Sequence, residues 1–144
     1  MEIRNMSASD IAGLAVLYKQ FWGEESSSQL MTQKFKELQN NPHYIFLSAV
    51  EGNRLVGSVQ GIICEELYGE CKPFLVIENL VVDRQRRRQG VGRSLIAEME
   101  KAAIKHGCYQ VLFITENHRT EAVNFYSSLG FRKDTHKGFK KQLI

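Results

Sequence analysis

With 144 residues, 43% of them hydrophobic, and a net charge of +3, the chain is long enough for one domain with a core of its own and is not a uniformly basic one. No apolar run approaches membrane-spanning length, and Met1-Glu2-Ile3-Arg4 does not lead a basic region into an apolar stretch, so a soluble, cytoplasmic protein without a membrane partner is expected. Cys64, Cys71 and Cys108 are odd in number and lack C-x-x-C spacing, and His43, His106, His118 and His136 are scattered. Neither a disulfide framework nor a metal site is expected.

In chain order, Glu2 to Asn5 reads as a short strand, and Ser7 or Ser9 caps a helix whose apolar stripe is Ile11, Leu14, Ala15, Tyr18, Phe21 and Trp22. Ser28 caps a second helix with a stripe of Met31, Phe35 and Leu38, ended by Asn40-Asn41-Pro42. Tyr44 to Val50 and Leu55 to Glu65 form a hairpin about the turn Glu51-Gly52-Asn53, with Gly57 and Gly61 marking bulges or close packing. Tyr68 to Lys72 turns into a central strand, Pro73 to Val82. Beyond the loop that follows come a helix (Leu95, Ile96, Met99, Ala102, Ala103) stopped by Gly107 and a strand from Tyr109 to Thr115. A helix from Thr120 to Leu129 stopped by Gly130, and strands at Phe131 and near Phe139, complete the chain. The order β-α-α-β-β-β-α-β-α-β-β is that of an α/β layer on a mixed sheet. No Pro/Gly/Ser-rich linker interrupts it, so residues 1–144 are expected to form one domain.

The most informative stretch is the passage from the central strand into the third helix, through Arg87-Arg88-Gln89-Gly90-Val91-Gly92-Arg93-Ser94. Glycines there let a ligand approach backbone N–H groups, and the unpaired amides and dipole of a helix start favour an anion. A pyrophosphate suits this loop. A nucleotide-hydrolysing phosphate loop would need Gly-Lys-Ser/Thr, but Arg93-Ser94 follows Gly92. A dinucleotide fingerprint fails as well, since Leu95 stands where its third small residue belongs.

Arg87-x-x-Gly90-x-Gly92, preceded by Glu78-Asn79-Leu80-Val81-Val82-Asp83 and followed by Leu95-Ile96, resembles the acetyl-CoA signature of the GNAT superfamily of N-acetyltransferases. A second segment, Glu121-Ala122-Val123-Asn124-Phe125-Tyr126-Ser127-Ser128-Leu129-Gly130-Phe131, resembles that family's late helix and the strand after it. The resemblance implies a central mixed, mostly antiparallel sheet with a splayed V between its two central parallel strands, flanked by about four helices. It also implies acetyl-CoA as co-substrate, held by main-chain groups of Leu80, Val81 and Val82, by the loop Arg87 to Ser94, and by Asn124 on the late helix. Val82 N–H is the expected contact to the acyl oxygen. Tyr126 falls on the family's tyrosine, and a phenol of ordinary pKa about 10 is protonated at neutral pH and able to protonate a departing thiolate. Many members carry Asn three residues before the alanine of the late helix; here Arg119 stands there and Asn117 lies five before Ala122, so Asn117 is a weaker cofactor contact.

Glu78 lies four residues before Val82, and strand alternation puts both on one face unless a bulge shifts the register. By resemblance it is the base or the anchor for an ammonium; a charge paired with a nearby Arg is the plain alternative. The run Arg84-Gln85-Arg86-Arg87-Arg88 is a local patch without interleaved aromatics, which CoA phosphates explain better than nucleic acid. A small-molecule amine is the expected acceptor, bound by Phe21 to Gln39, the Glu65 to Glu70 hairpin and the C-terminal strands, with Glu24, Glu25, Glu65, Glu66 and Glu70 suited to a cation. Glu78 to Val82 and Gly107-Cys108-Tyr109-Gln110 also look like glucosamine 6-phosphate N-acetyltransferase, while aminoglycoside, polyamine and protein amines fit the motifs equally. The resemblance allows a homodimer through the late strands. A non-catalytic acyl-CoA-binding module and a structural interaction protein are the competing classes.

Overall fold

Strands form where β-branched and aromatic residues gather, and three such runs carry the sheet: β2 (Tyr44–Glu51), β3 (Arg54–Cys64) and β4 (Phe74–Val82). The computed structural model describes residues 1–144, which fall into two compact units, Met1–Leu112 and Phe113–Ile144. In the first unit β1 (Glu2–Asn5) and β5 (Val111–Leu112) complete a five-stranded sheet in the order β1-β2-β3-β4-β5. All neighbours are antiparallel except β4 and β5, which run parallel. That pairing is short. Only Leu75↔Val111 and Val76↔Leu112 are in register, and from Ile77 onward β4 is paired with β3 alone.

Helix α1 (Ile11–Trp22) and helix α2 (Ser28–Leu38) lie on one face of this sheet. Ile11, Leu14 and Leu17 pack with Phe35 of α2 and with Val50, Leu55 and Val81 of the sheet. Ser27 rather than Ser28 caps α2, accepting a hydrogen bond from Leu30 N–H at 3.3 Å. Ahead of α1, Asp10 accepts from Ser7 N–H at 2.9 Å and from buried Ser48 Oγ at 3.0 Å, and pairs with Arg4 at 2.7 Å. Burial alone would push the Asp10 carboxyl up, but these partners together outweigh it and hold it below the ordinary carboxylate value.

Helix α3 (Val91–Lys105) covers the other face, and the two strand glycines exist for its approach. A Cβ at Gly57 would stand 2.9 Å from Val91 Cγ1, and one at Gly61 would stand 2.5 Å from Met99 Sδ. Both therefore mark close packing. No helix in the chain is long and apolar enough to cross a membrane.

The second unit contains α4 (Thr120–Ser128) and an aromatic cluster in which Phe113 lies 3.9 Å from Tyr126 and 4.9 Å from Phe131, ring centre to ring centre. The strands expected at Phe131 and near Phe139 are absent, and the one expected from Tyr109 to Thr115 is reduced to β5. The last segment, Arg132 to Ile144, is exposed throughout and has no buried face to fix a strand.

Candidate functional site

The site begins at an irregularity in β4. Gln60 pairs with Glu78 and Ser58 with Val81, so β4 spends one residue more than β3 over this interval. The extra length is taken up at Asn79, whose φ of +54° lies in the left-handed region. Asn is among the few residues with a side chain that tolerate it. This bulge turns the strand over. Ile77 pairs with Gly61 on the α3 face, whereas Val81, four residues later, packs into the α1 cluster. Glu78 and Val82 consequently sit on opposite faces, Glu78 with Gln60 on the α1 side and Val82 with Gly57 on the α3 side, which corrects the alternation drawn without the bulge.

Main-chain direction matters more than side-chain direction at Val82. Asp83 N–H bonds Val56 O at 2.9 Å, toward β3. Antiparallel alternation then turns Val82 N–H and C=O to the opposite edge, where β5 has already ended. Val82 O accepts from Arg87 Nε at 3.4 Å, in keeping with that direction. Leu80 and Val82 are half-buried and Val81 is buried.

Asp83, 2% exposed, locks the next turn: it accepts from Gln85 N–H at 2.8 Å and pairs with Arg54. Arg84 is tied to Gln20 of α1 and Arg86 to Glu51 at 2.8 Å. Two of the run's arginines are thus structural, whereas Arg87, Arg88, Gln89 and Gly90 lie exposed at the start of α3. Gln89 Nε2 donates to Gln85 O at 3.0 Å. Gly90 is the N-cap, at φ +85°, and offers no side chain to the helix end. The first intrahelical bond is Ser94 N–H to Gly90 O at 3.0 Å, so the amides of Val91, Gly92 and Arg93 form an open donor cluster at the positive end of a four-turn dipole. Val91 contributes its amide only, its side chain being buried.

On the α1 face, Glu78 is exposed and has neither a hydrogen bond nor an ion pair, so the expected alternative of an Arg-paired charge is not realised. Tyr18 lies beside the bulge. Burial pushes its phenol up to about 12, against a hydrogen bond with the Asn79 side chain. In the second unit, Tyr126 is half-buried among Phe113, Phe125 and Phe131. Burial pushes its phenol above the ordinary value and Arg119 opposes this, leaving a hydroxyl that stays protonated through neutral pH. Asn117 lies exposed in the turn before α4, and Asn124 is exposed on α4.

Sequence reasoning missed Asn79, Tyr18, Arg54 and the structural role of Asp83. One signal was available for Asn79: an Asn inside an apolar strand run is poorly suited to a regular strand and well suited to a bulge.

The model of the Acetyltransferase (GNAT) family matches residues 11–131. The uncharacterized N-acetyltransferase YhfO of Bacillus subtilis (strain 168) is 27% identical over 143 residues, covering 94% of this chain and 92% of its own. Glucosamine 6-phosphate N-acetyltransferase of Trypanosoma brucei brucei is 32% identical over 79 residues, covering 55% of this chain and 52% of its own. A solved chain from Agrobacterium tumefaciens str. C58, assigned to the acetyltransferases, superposes with a TM-score of 0.91 at 26% identity, over 99% of this chain and 100% of its own.

Proposed function

We propose, since the chain belongs to the acetyltransferase (GNAT) family, that it moves the acetyl group of acetyl-CoA to a primary amine of a small molecule, as one acetyltransferase domain over residues 1–144. The observation that carries this reading is the run of outward-directed main-chain donors from Val82, at the unpaired edge of β4, to the amides of Val91, Gly92 and Arg93 on an uncapped helix start. That order suits an extended ligand with a carbonyl at one end and a pyrophosphate further along. The exposed guanidinium of Arg87 beside the loop, and Arg88 and Arg93, supply charge of the matching sign.

In this reading the amine attacks the thioester carbonyl directly, and Val82 N–H donates to the oxygen as negative charge develops on it. The carbon–sulfur bond then breaks. Tyr126, a phenol kept protonated by its aromatic surroundings, gives its proton to the thiolate. Glu78, exposed and unpartnered on the α1 face, anchors the acceptor's ammonium and takes up its proton directly or through water. Asn117 and Asn124, both exposed, remain contacts to the CoA arm on the resemblance alone.

Calorimetric titration of acetyl-CoA, with desulfo-CoA and ATP as comparators, tests the donor half, and thiol release with a panel of amines tests the transfer. Binding near one per chain and amine-dependent thiol release are expected. Failure to bind acetyl-CoA would overturn the reading; binding without transfer to any amine would reduce the protein to an acyl-CoA-binding module.

A further inference from the structure

The face of the sheet that carries Glu78 has a definite chemical character beyond α1 and α2. Strand register places Tyr44, Ile62, Val76 and Leu112 in one row across β2, β3, β4 and β5. The neighbouring row is Phe46, Gln60 and Glu78. Paired residues on adjacent strands hold their Cβ atoms about 5 Å apart, so these side chains form a continuous floor. Tyr44 stacks over Phe46 with ring centres 6.1 Å apart and planes inclined by 15°. The floor is not closed over: Tyr44, Ile62 and Val76 are half-buried and Leu112 is 44% exposed.

Glu78 is the one charge in it. Along β2, β3 and β4 the positions on this face hold Tyr44, Phe46, Ser48 and Val50, then Leu55, Ser58, Gln60, Ile62 and Cys64, then Phe74, Val76, Glu78 and Val81, without a Lys, Arg or His. Near its margins Lys19 is paired with Glu25, and His43 lies against Glu65. A phosphate brought to this floor would meet the bare carboxylate of Glu78, and no Lys, Arg or His stands among the floor positions to offset the repulsion. An ammonium would meet Glu78, and an apolar body attached to it would cover side chains that now lie half in water.

Resting on the acetyltransferase reading, we propose that the acceptor is a hydrophobic monoamine, its ammonium held by Glu78 and its uncharged body laid over Tyr44, Ile62 and Val76. This excludes phosphorylated amino sugars as the preferred acceptor, whatever the likeness to a glucosamine 6-phosphate enzyme. The occupant is chosen by charge complementarity: an unpaired anion in an apolar surround selects a cation with an apolar tail.

The test is calorimetric binding of 2-phenylethylamine and of glucosamine 6-phosphate to the intact protein, which needs no turnover, with acetyl-CoA binding measured in parallel. The wild type is expected to bind 2-phenylethylamine at least tenfold tighter than the phosphosugar. Glu78→Gln and Ile62→Lys should each weaken the amine tenfold or more at unchanged acetyl-CoA affinity. Leu112→Lys, at an exposed position that folds readily, should weaken it severalfold and narrow the preference over the phosphosugar. Equal or tighter phosphosugar binding, absence of amine binding, or amine affinity untouched by all three variants overturns the proposal. A further overturning result is a dimer that Ile62→Lys splits while amine affinity stays intact, because the floor then belongs to a second copy. If the amine binds as expected but acetyl-CoA does not, the floor stands and the acetyltransferase reading fails.

Discussion

Gly90→Ala isolates the backbone contribution of the α3 start. Gly90 has φ +85° and ψ −3°, and a Cβ built there would find nothing within 4 Å. No steric clash is added, so the whole penalty is that of holding an L residue in the left-handed region, about 1–2 kcal/mol. That sum has only two places to appear. If the loop keeps its conformation, stability falls by about 1–2 kcal/mol and acetyl-CoA binds as before. If the loop relaxes in the free protein and must be driven back by the ligand, stability is kept and affinity falls about five- to thirtyfold, at 1.4 kcal/mol per tenfold. Urea unfolding, read as a midpoint change at constant slope, gives the first quantity and calorimetry the second. Gly107→Ala is the control: φ is +76° at the opposite end of the same helix, again with open space around the Cβ. Its penalty should appear in stability alone. A Gly90→Ala protein with both stability and acetyl-CoA affinity at the wild-type values would refute the reasoning.

Four further outcomes are expected. Tyr126→Phe should lower kcat by about 10²–10⁴-fold at unchanged acetyl-CoA affinity, measured by thiol release and calorimetry. Because burial raises the Tyr126 phenol above its ordinary value of 10.0, the proton it is proposed to donate is present throughout neutral pH. The alkaline fall in kcat attributable to it should therefore have its midpoint above pH 10, and a fall complete by pH 8 that Tyr126→Phe abolishes would contradict the assignment. Gly61→Val should destabilise the protein by about 1–3 kcal/mol by chemical unfolding, since the new side chain must displace Met99 and Leu75. Asp10→Ala should cost about 1–3 kcal/mol at pH 7, because buried Ser48 loses its acceptor. The folded Asp10 carboxyl lies below its unfolded value of 3.8, so the difference is full above that pH and should shrink as pH falls through the folded value.

What the sequence made legible is what short-range pattern controls. The helices α1 to α4, the β2–β3 hairpin and the α3 loop follow from apolar spacing and glycine placement, and of the two readings open for Gly57 and Gly61, bulge or close packing, the structure takes close packing. Long-range pairing is where sequence reading loses its hold. The α1 stripe omitted Leu17, which is 3% exposed, and included Trp22, which is 51% exposed and lies edge-on to Tyr18 and Phe21. Helical periodicity fixes a face only to within one position, and the partner decides the rest. The expected C-terminal strands rested on single aromatic residues; Phe131 found its place against Phe113 and Tyr126 without a strand, and Phe139 is 88% exposed. The arginine run also divides in a way its sequence does not announce, because Gln20 and Glu51, which hold Arg84 and Arg86, are 64 and 35 residues away.

The bulge at Asn79 has the largest consequence of these long-range features. A regular β4 would present Glu78 and Val82 on the same face of the sheet, and with them the proposed acceptor anchor and the proposed acyl contact. One inserted residue separates the two. Glu78 stays on the α1 face, above the apolar floor, while the strand past the bulge is turned so that Val81 fills the α1 core and Val82 looks toward α3. The main chain at Val82 then leaves β3 toward the open edge, and the following turn, pinned by Asp83 and Arg54, delivers the chain directly to the uncapped start of α3. In the proposed reading, acceptor recognition thereby falls to a side chain and donor recognition to backbone amides. On that reading the first would vary with the residues of the floor while the second depends on backbone conformation, so a donor motif and an acceptor preference could change independently.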